Sequence, residues 1–91
     1  MIQIMVEKFE AIAYDDEKLI GRSQYREEGD IWTIYHTEVQ KSYGGQGIAG
    51  RLLDSIVEEA GKKGKKIYPE CSFARHAFEK DREKYSDISV L

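Results

Sequence analysis

The chain has 91 residues, with 14 basic and 17 acidic side chains and a net charge of −3. That length fits one domain, spanning residues 1–91, and such a domain buries only roughly 60–65% of the surface its unfolded chain exposes. The acidic balance argues against a nucleic-acid footprint, and a single cysteine, Cys71, excludes an internal disulfide.

The elements follow in chain order. Lys8 to Tyr14 reads as a strand, with Phe9, Ala11 and Ala13 on one face. Asp15-Asp16-Glu17 is a turn, and Lys18 to Glu27 alternates as a second strand. Glu28-Gly29-Asp30 is a tight turn into Ile31–Val39, the strongest strand signal in the chain. Ile31, Thr33, Tyr35 and Val39 fall on one face of it, and Trp32, Ile34 and His36 on the other. Apolar residues on both faces predict a strand covered on both sides.

A glycine-rich loop follows, with Gly44, Gly45, Gly47 and Gly50 leading into a helix from about Gly47 to Lys63. Glycines strip side chains from this arc, so its N–H groups can converge on an anion. The helix adds the unpaired N–H groups and positive dipole end of its N-terminus, a natural phosphate or pyrophosphate site. Ile48, Leu52, Leu53, Ile56, Val57 and Ala60 form its buried stripe. Glu58 with Lys62, and Glu59 with Lys63, are favourable pairs, and Gly64 is a C-terminal cap.

Lys66 to Cys71 reads as a short strand. Ser72 is the expected N-cap of a second helix over Phe73–Lys84, with Phe73, Ala77 and Phe78 buried. Ser86 to Leu91 is a loose tail or a last short strand. The strand, helix and strand from Ile31 to Cys71 form a β-α-β crossover, whose two strands run parallel. The fold class is therefore α/β: a mixed, mostly antiparallel sheet with a helix on each face. The loop lies at the carboxyl end of the first crossover strand, where ligands of α/β sheets bind.

Several residues carry candidate chemistry. Cys71 precedes a helix start, a place that favours a thiolate, although a free cysteine is also often a small buried hydrophobe. His36 is either a sheet-face residue or a general base. Glu38 and Glu70 are either solvated charges or groups that draw in a cationic amine and take its proton. His36, His76 and Cys71 lack a zinc spacing, so no metal site is expected. Met1 to Glu10 lacks the basic flank and apolar run of a signal peptide, and no stretch is long enough to span a membrane. With its lone thiol, the chain reads as cytoplasmic.

The strand order, the loop and the following helix resemble the GNAT acetyltransferase superfamily. Its pyrophosphate loop has the form Gln/Arg-x-x-Gly-x-Gly/Ala. Gly47 and Ala49 match the last two defined positions, while the first falls on Gly44. That departure removes a side-chain contact and leaves anion binding to the backbone. The chain is more similar still to small single-domain GNAT-like proteins of the YjdJ type. The shared segments are His36-Thr37-Glu38-Val39, Tyr43 to Ala49, Pro69-Glu70-Cys71-Ser72-Phe73 and Tyr85. The resemblance implies acetyl-CoA as cofactor and an amine as acetyl acceptor. It implies that Thr37, Glu38 and Val39 offer backbone groups to pantetheine. Tyr43, Gly44, Gly45, Gln46, Gly47, Ile48 and Ala49 would hold the pyrophosphate, with Cys71 near the thioester. Cys71, His36 and Glu38 are the catalytic candidates. A CoA-binding or protein-interaction module without turnover is the alternative.

Overall fold

Left-handed residues set the first two turns. In the computed structural model, which describes residues 1–91, Phe9 has φ 77° and Asp16 has φ 55°. Phe9 reverses the chain between β1 (Ile2–Glu7) and β2 (Glu10–Asp15), and Asp16 reverses it between β2 and β3 (Lys18–Glu28). The sequence suggests one strand over Lys8–Tyr14; the structure instead has two, parted at Phe9. The missed strand carries its own alternating signal in Ile2, Ile4 and Val6, whose partners across the ladder include Ala13 for Ile4 and Ala11 for Val6. Gly29, with φ 64°, turns β3 into β4 (Ile31–Val39).

One mixed sheet results, in the order β1-β2-β3-β4-β5, where β5 is Lys66–Pro69. The first three pairings are antiparallel and β4–β5 is parallel. Gln24 faces His36 but Tyr25 faces Ile34, so Tyr35 is an extra residue on β4. Such a bulge flips the side-chain parity. Trp32 and Ile34 point to the core before it, and Thr37 and Val39 continue that face after it. The sequence alternation, which places His36 with Trp32 and Ile34, therefore fails at Tyr35. Cover on both sides holds only over Trp32, Thr33 and Ile34, all buried, while Tyr35 and His36 are exposed.

Helix α1 (Ile48–Lys62) buries Ile48, Leu52, Leu53, Ile56 and Ala60, as its apolar period requires. Its expected ion pairs form, with Lys62–Glu58 and Lys63–Glu59 both at 3.4 Å. Gly64 ends it in the left-handed conformation, φ 69°.

The second helix differs from the sequence reading. It breaks at Asp81 into α2 (Ser72–Lys80) and α3 (Arg82–Tyr85), and Asp81 Oδ1 accepts from Lys84 N–H at 3.3 Å. Its N-cap is Cys71, with Ser72 already helical. The buried positions shift accordingly: Ala74 and Phe78 face the core, and Phe73 is exposed. Phe78 joins the same apolar cluster as the α1 stripe. Tyr85 stacks on Phe78 at 4.3 Å and donates to Asp54 Oδ1 of α1 at 2.9 Å. The tail bridges β5 in parallel at Ile67 and Ser89.

Candidate functional site

The parallel ladder of β4 and β5 ends at Ile34 and Pro69. Proline has no N–H to extend it. The N–H groups of Glu70 and Cys71 both donate to Ile34 O at 2.9 Å, and no further backbone bond joins the two strands. Past this point the strands part. Gln40 N–H donates to Ile20 O, so even-numbered backbone groups here turn toward β3. By alternation, those of Thr37 and Val39 turn toward the opening, and those of Glu38 do not.

Beyond the opening lies a single 3-10 turn, Lys41–Tyr43, and then the loop. Gly45 and Gly47 have φ 79° and 75°, and a Cβ on either would meet nothing within 4 Å. Left-handed backbone at these two positions is what glycine permits. The N–H groups of Gly45, Gln46, Gly47, Ile48, Ala49 and Gly50 have no acceptor in the chain. Gly47 caps α1 without a side-chain bond, and the first turn holds no acid. Arg51 is exposed one turn in. This run of unpaired N–H groups at a helix start fits a pyrophosphate. The Tyr43 side chain is engaged elsewhere: its hydroxyl donates to Asp15 Oδ2 at 2.7 Å.

The candidate catalytic residues form two groups rather than one. Cys71 is half-buried; its Sγ accepts from Ala74 N–H at 3.4 Å and lies 3.6 Å from Thr37 Oγ1. Thr37 Oγ1 in turn lies 2.9 Å from the hydroxyl of Ser23, which is fully buried. His36 Nε2 lies 3.1 Å from Glu38 Oε1, both exposed. Adjacent strand residues point to opposite faces, so this pair turns away from Thr37 and Cys71. Glu70 is bound by Arg26, Nη2 to Oε1 at 2.9 Å, and the Arg26 guanidinium also lies 5.2 Å from the Tyr35 ring centre. No group of three or more His, Cys, Asp or Glu side chains is gathered closely enough to hold a metal. No helix is long and apolar enough to cross a membrane.

Sequence reading misses Ser23, Arg26 and Asp15. Their partners lie 14, 44 and 28 residues away, a spacing that no local pattern encodes.

A parting of two parallel strands beside a phosphate-type loop can be compared with known proteins. The model of the GCN5-related N-acetyl-transferase family matches residues 8–88. The chain belongs to this family. A GCN5-like protein of Staphylococcus aureus, classed with the N-acetyltransferases and solved by NMR, is 33% identical. It aligns with a TM-score of 0.78 over 97% of this chain and 87% of that one. The ribosomal-protein-S18-alanine N-acetyltransferase of Escherichia coli is 18% identical, with a TM-score of 0.68 over 87% of this chain and 54% of that one. A nourseothricin acetyltransferase is 24% identical, with a TM-score of 0.61 over 78% and 46%. These two share the fold alone, and the chain spans about half their length. No curated protein sequence matches the chain. GCN5-related acetyltransferases generally use acetyl-CoA and an acceptor substrate.

Proposed function

We propose that this chain binds acetyl-CoA and transfers its acetyl group to an amine, acting as a single cytoplasmic domain over residues 1–91. The observation that carries the reading is the run of unpaired N–H groups from Gly45 to Gly50, next to the open edge of β4. The loop takes the pyrophosphate through these groups, with no side chain required at Gly44. Thr37 and Val39 offer backbone donors and acceptors to the pantetheine arm. Bound acetyl-CoA supplies an activated thioester.

The rest of the work falls to the chain. A lysine-type ammonium has a pKa of about 10.4, so an amine must lose a proton before it attacks. The His36–Glu38 pair offers an imidazole held by a carboxylate for that proton. Cys71 Sγ, 3.6 Å from Thr37 Oγ1, is the group placed to pass a proton to a leaving group. Backbone N–H groups at the strand parting supply charge stabilisation without reorganisation.

A second reading has its own observation. His36 and Glu38 turn away from Cys71, so the three candidates do not converge, as suits a CoA-binding module without turnover. One experiment separates the two. Thiol release from acetyl-CoA is measured with a panel of amines, beside a CoA titration. Turnover with any amine supports the enzyme. Binding with no turnover across small-molecule and peptide amines supports the module. No binding overturns both.

A further inference from the structure

The junction between β4 and the loop is held by contacts that the candidate site itself does not use. Gln40 follows β4; its N–H donates to Ile20 O at 2.8 Å and its Nε2 to Leu19 O at 3.1 Å. Tyr43 precedes the first loop glycine, and its bond to Asp15 Oδ2, at 2.7 Å, is charge-assisted. Lys18 Nζ lies 5.7 Å from the Tyr43 ring centre. Gly21 completes the set. A Cβ there would lie 2.9 Å from Glu38 O and 3.1 Å from Val39 Cγ2, so glycine is what lets the end of β4 come this close. Every one of these partners belongs to residues 15–21, the end of β2, the turn and the start of β3. The loop N–H groups, in contrast, have no acceptor that would fix their direction.

We infer that the turn between β2 and β3 is a bracket that positions the phosphate loop, with Asp15 and Tyr43 as its principal pair. This rests on the reading of the loop as a pyrophosphate site. The physical reason is pre-organisation. Donors that must be ordered on binding lose affinity to that ordering, whereas donors already held do not. Tyr43 anchors the loop at its entry, where a small swing redirects every N–H that follows. Asp15 and Tyr43 are positioning residues: they act on the ligand through the loop.

The test compares Asp15→Ala, Tyr43→Phe and the double variant, each titrated with CoA and with pantetheine. Pantetheine shares the arm that lies along β4 but has no pyrophosphate. Tyr43→Phe keeps the ring that packs on the core and removes only the hydroxyl. Each single variant should weaken CoA by about tenfold, the order expected for losing one hydrogen bond to a charged group. The double variant should be no weaker than Tyr43→Phe alone, because both changes remove one interaction. Pantetheine affinity should stay at the parental level. Equal weakening of CoA and pantetheine would assign the pair to general stability and overturn the bracket. Parental CoA affinity in both variants would also overturn it, while leaving the phosphate site intact. A parent that does not bind CoA at all would remove the underlying reading, and the inference with it.

Discussion

The two halves of β4 make opposite use of the same backbone. Ile31–Ile34 pairs with β3 on one edge and β5 on the other, and Trp32 stacks on Tyr25 at 4.2 Å with only 2% of its surface exposed. His36–Val39 pairs with β3 alone, and the Glu38 side chain is 61% exposed. The boundary is built from two devices, the extra residue Tyr35 on β4 and Pro69 ending β5. On the proposed function, stability and chemistry occupy successive halves of one strand. The open half can leave backbone groups unpaired because the closed half and α1 hold the fold. Substitutions in the two halves should therefore separate folding from function.

The largest effect belongs to the closed half. Trp32→Ala removes a buried aromatic and should cost about 3–5 kcal/mol. That is a large share of the roughly 5–15 kcal/mol available to a domain. Urea denaturation would measure it. A loss below about 1 kcal/mol would show that the closed half is not what holds the fold. Gly47→Val comes next and acts on the other side of the comparison. Its left-handed φ of 75° strains any β-branched residue, and the added side chain projects into the space where an anion would approach. CoA affinity should fall beyond detection while the variant stays folded by circular dichroism. Normal CoA affinity in a folded Gly47→Val protein would remove the loop from the site.

Single changes in the open half, or at Cys71 beside Thr37, should matter less. Once an acceptor is found, His36→Ala, Glu38→Gln and Cys71→Ala should each lower turnover within about the 10²–10⁴-fold range of one acid–base group, or by less. His36→Ala and Glu38→Gln should shift stability by no more than about 0.5 kcal/mol, being exposed. Cys71→Ala should also cost about 0.5–2 kcal/mol, because its Sγ caps α2. Elimination of turnover by one of these changes, with CoA affinity unchanged, would identify that residue as indispensable to the chemistry.

How much of this was legible in the sequence depends on the range of each interaction. Ile31–Val39, the helix and its stripe are written in local periods, and the sequence reading meets them within a residue. The glycine loop is equally local, since its conformation follows from Gly45 and Gly47 themselves. The bulge at Tyr35 is not local. It is defined by the register against Gln24 and Tyr25, and it alone puts His36 on the wrong face of a strict alternation. The turn at Phe9 is hidden for a different reason: a bulky aromatic at positive φ runs against local preference, so nothing nearby advertises it. The break at Asp81 escapes because Asp81 lies inside the helix expected over Phe73–Lys84, although its side chain caps the next turn.

The smallest effect tests how the open half is anchored. The Asp15 carboxyl is held below the ordinary carboxylate range, first by the Tyr43 hydroxyl and next by the chain's amino terminus. A depressed folded value means that the fold prefers the carboxylate. Its contribution is complete above about pH 4, the unfolded value, and is lost as pH falls through the folded one. The Tyr43 phenol is pushed above its ordinary value, chiefly by the same bond to Asp15. A raised folded value means that the fold prefers the neutral phenol. That contribution is complete below about pH 10 and is lost as pH rises through the folded value. Tyr43→Phe removes this phenol's own alkaline loss and part of the acid loss at Asp15. Stability of the variant against pH should therefore be flatter than the parent's on both flanks, with the larger change on the alkaline side. His36→Ala, in the same half but remote from this bond, should leave both flanks as they are. Chemical denaturation at a series of pH values reads the difference directly. Parallel curves for parent and Tyr43→Phe would show that the Asp15–Tyr43 bond does not persist in solution, and the open half would then need another anchor.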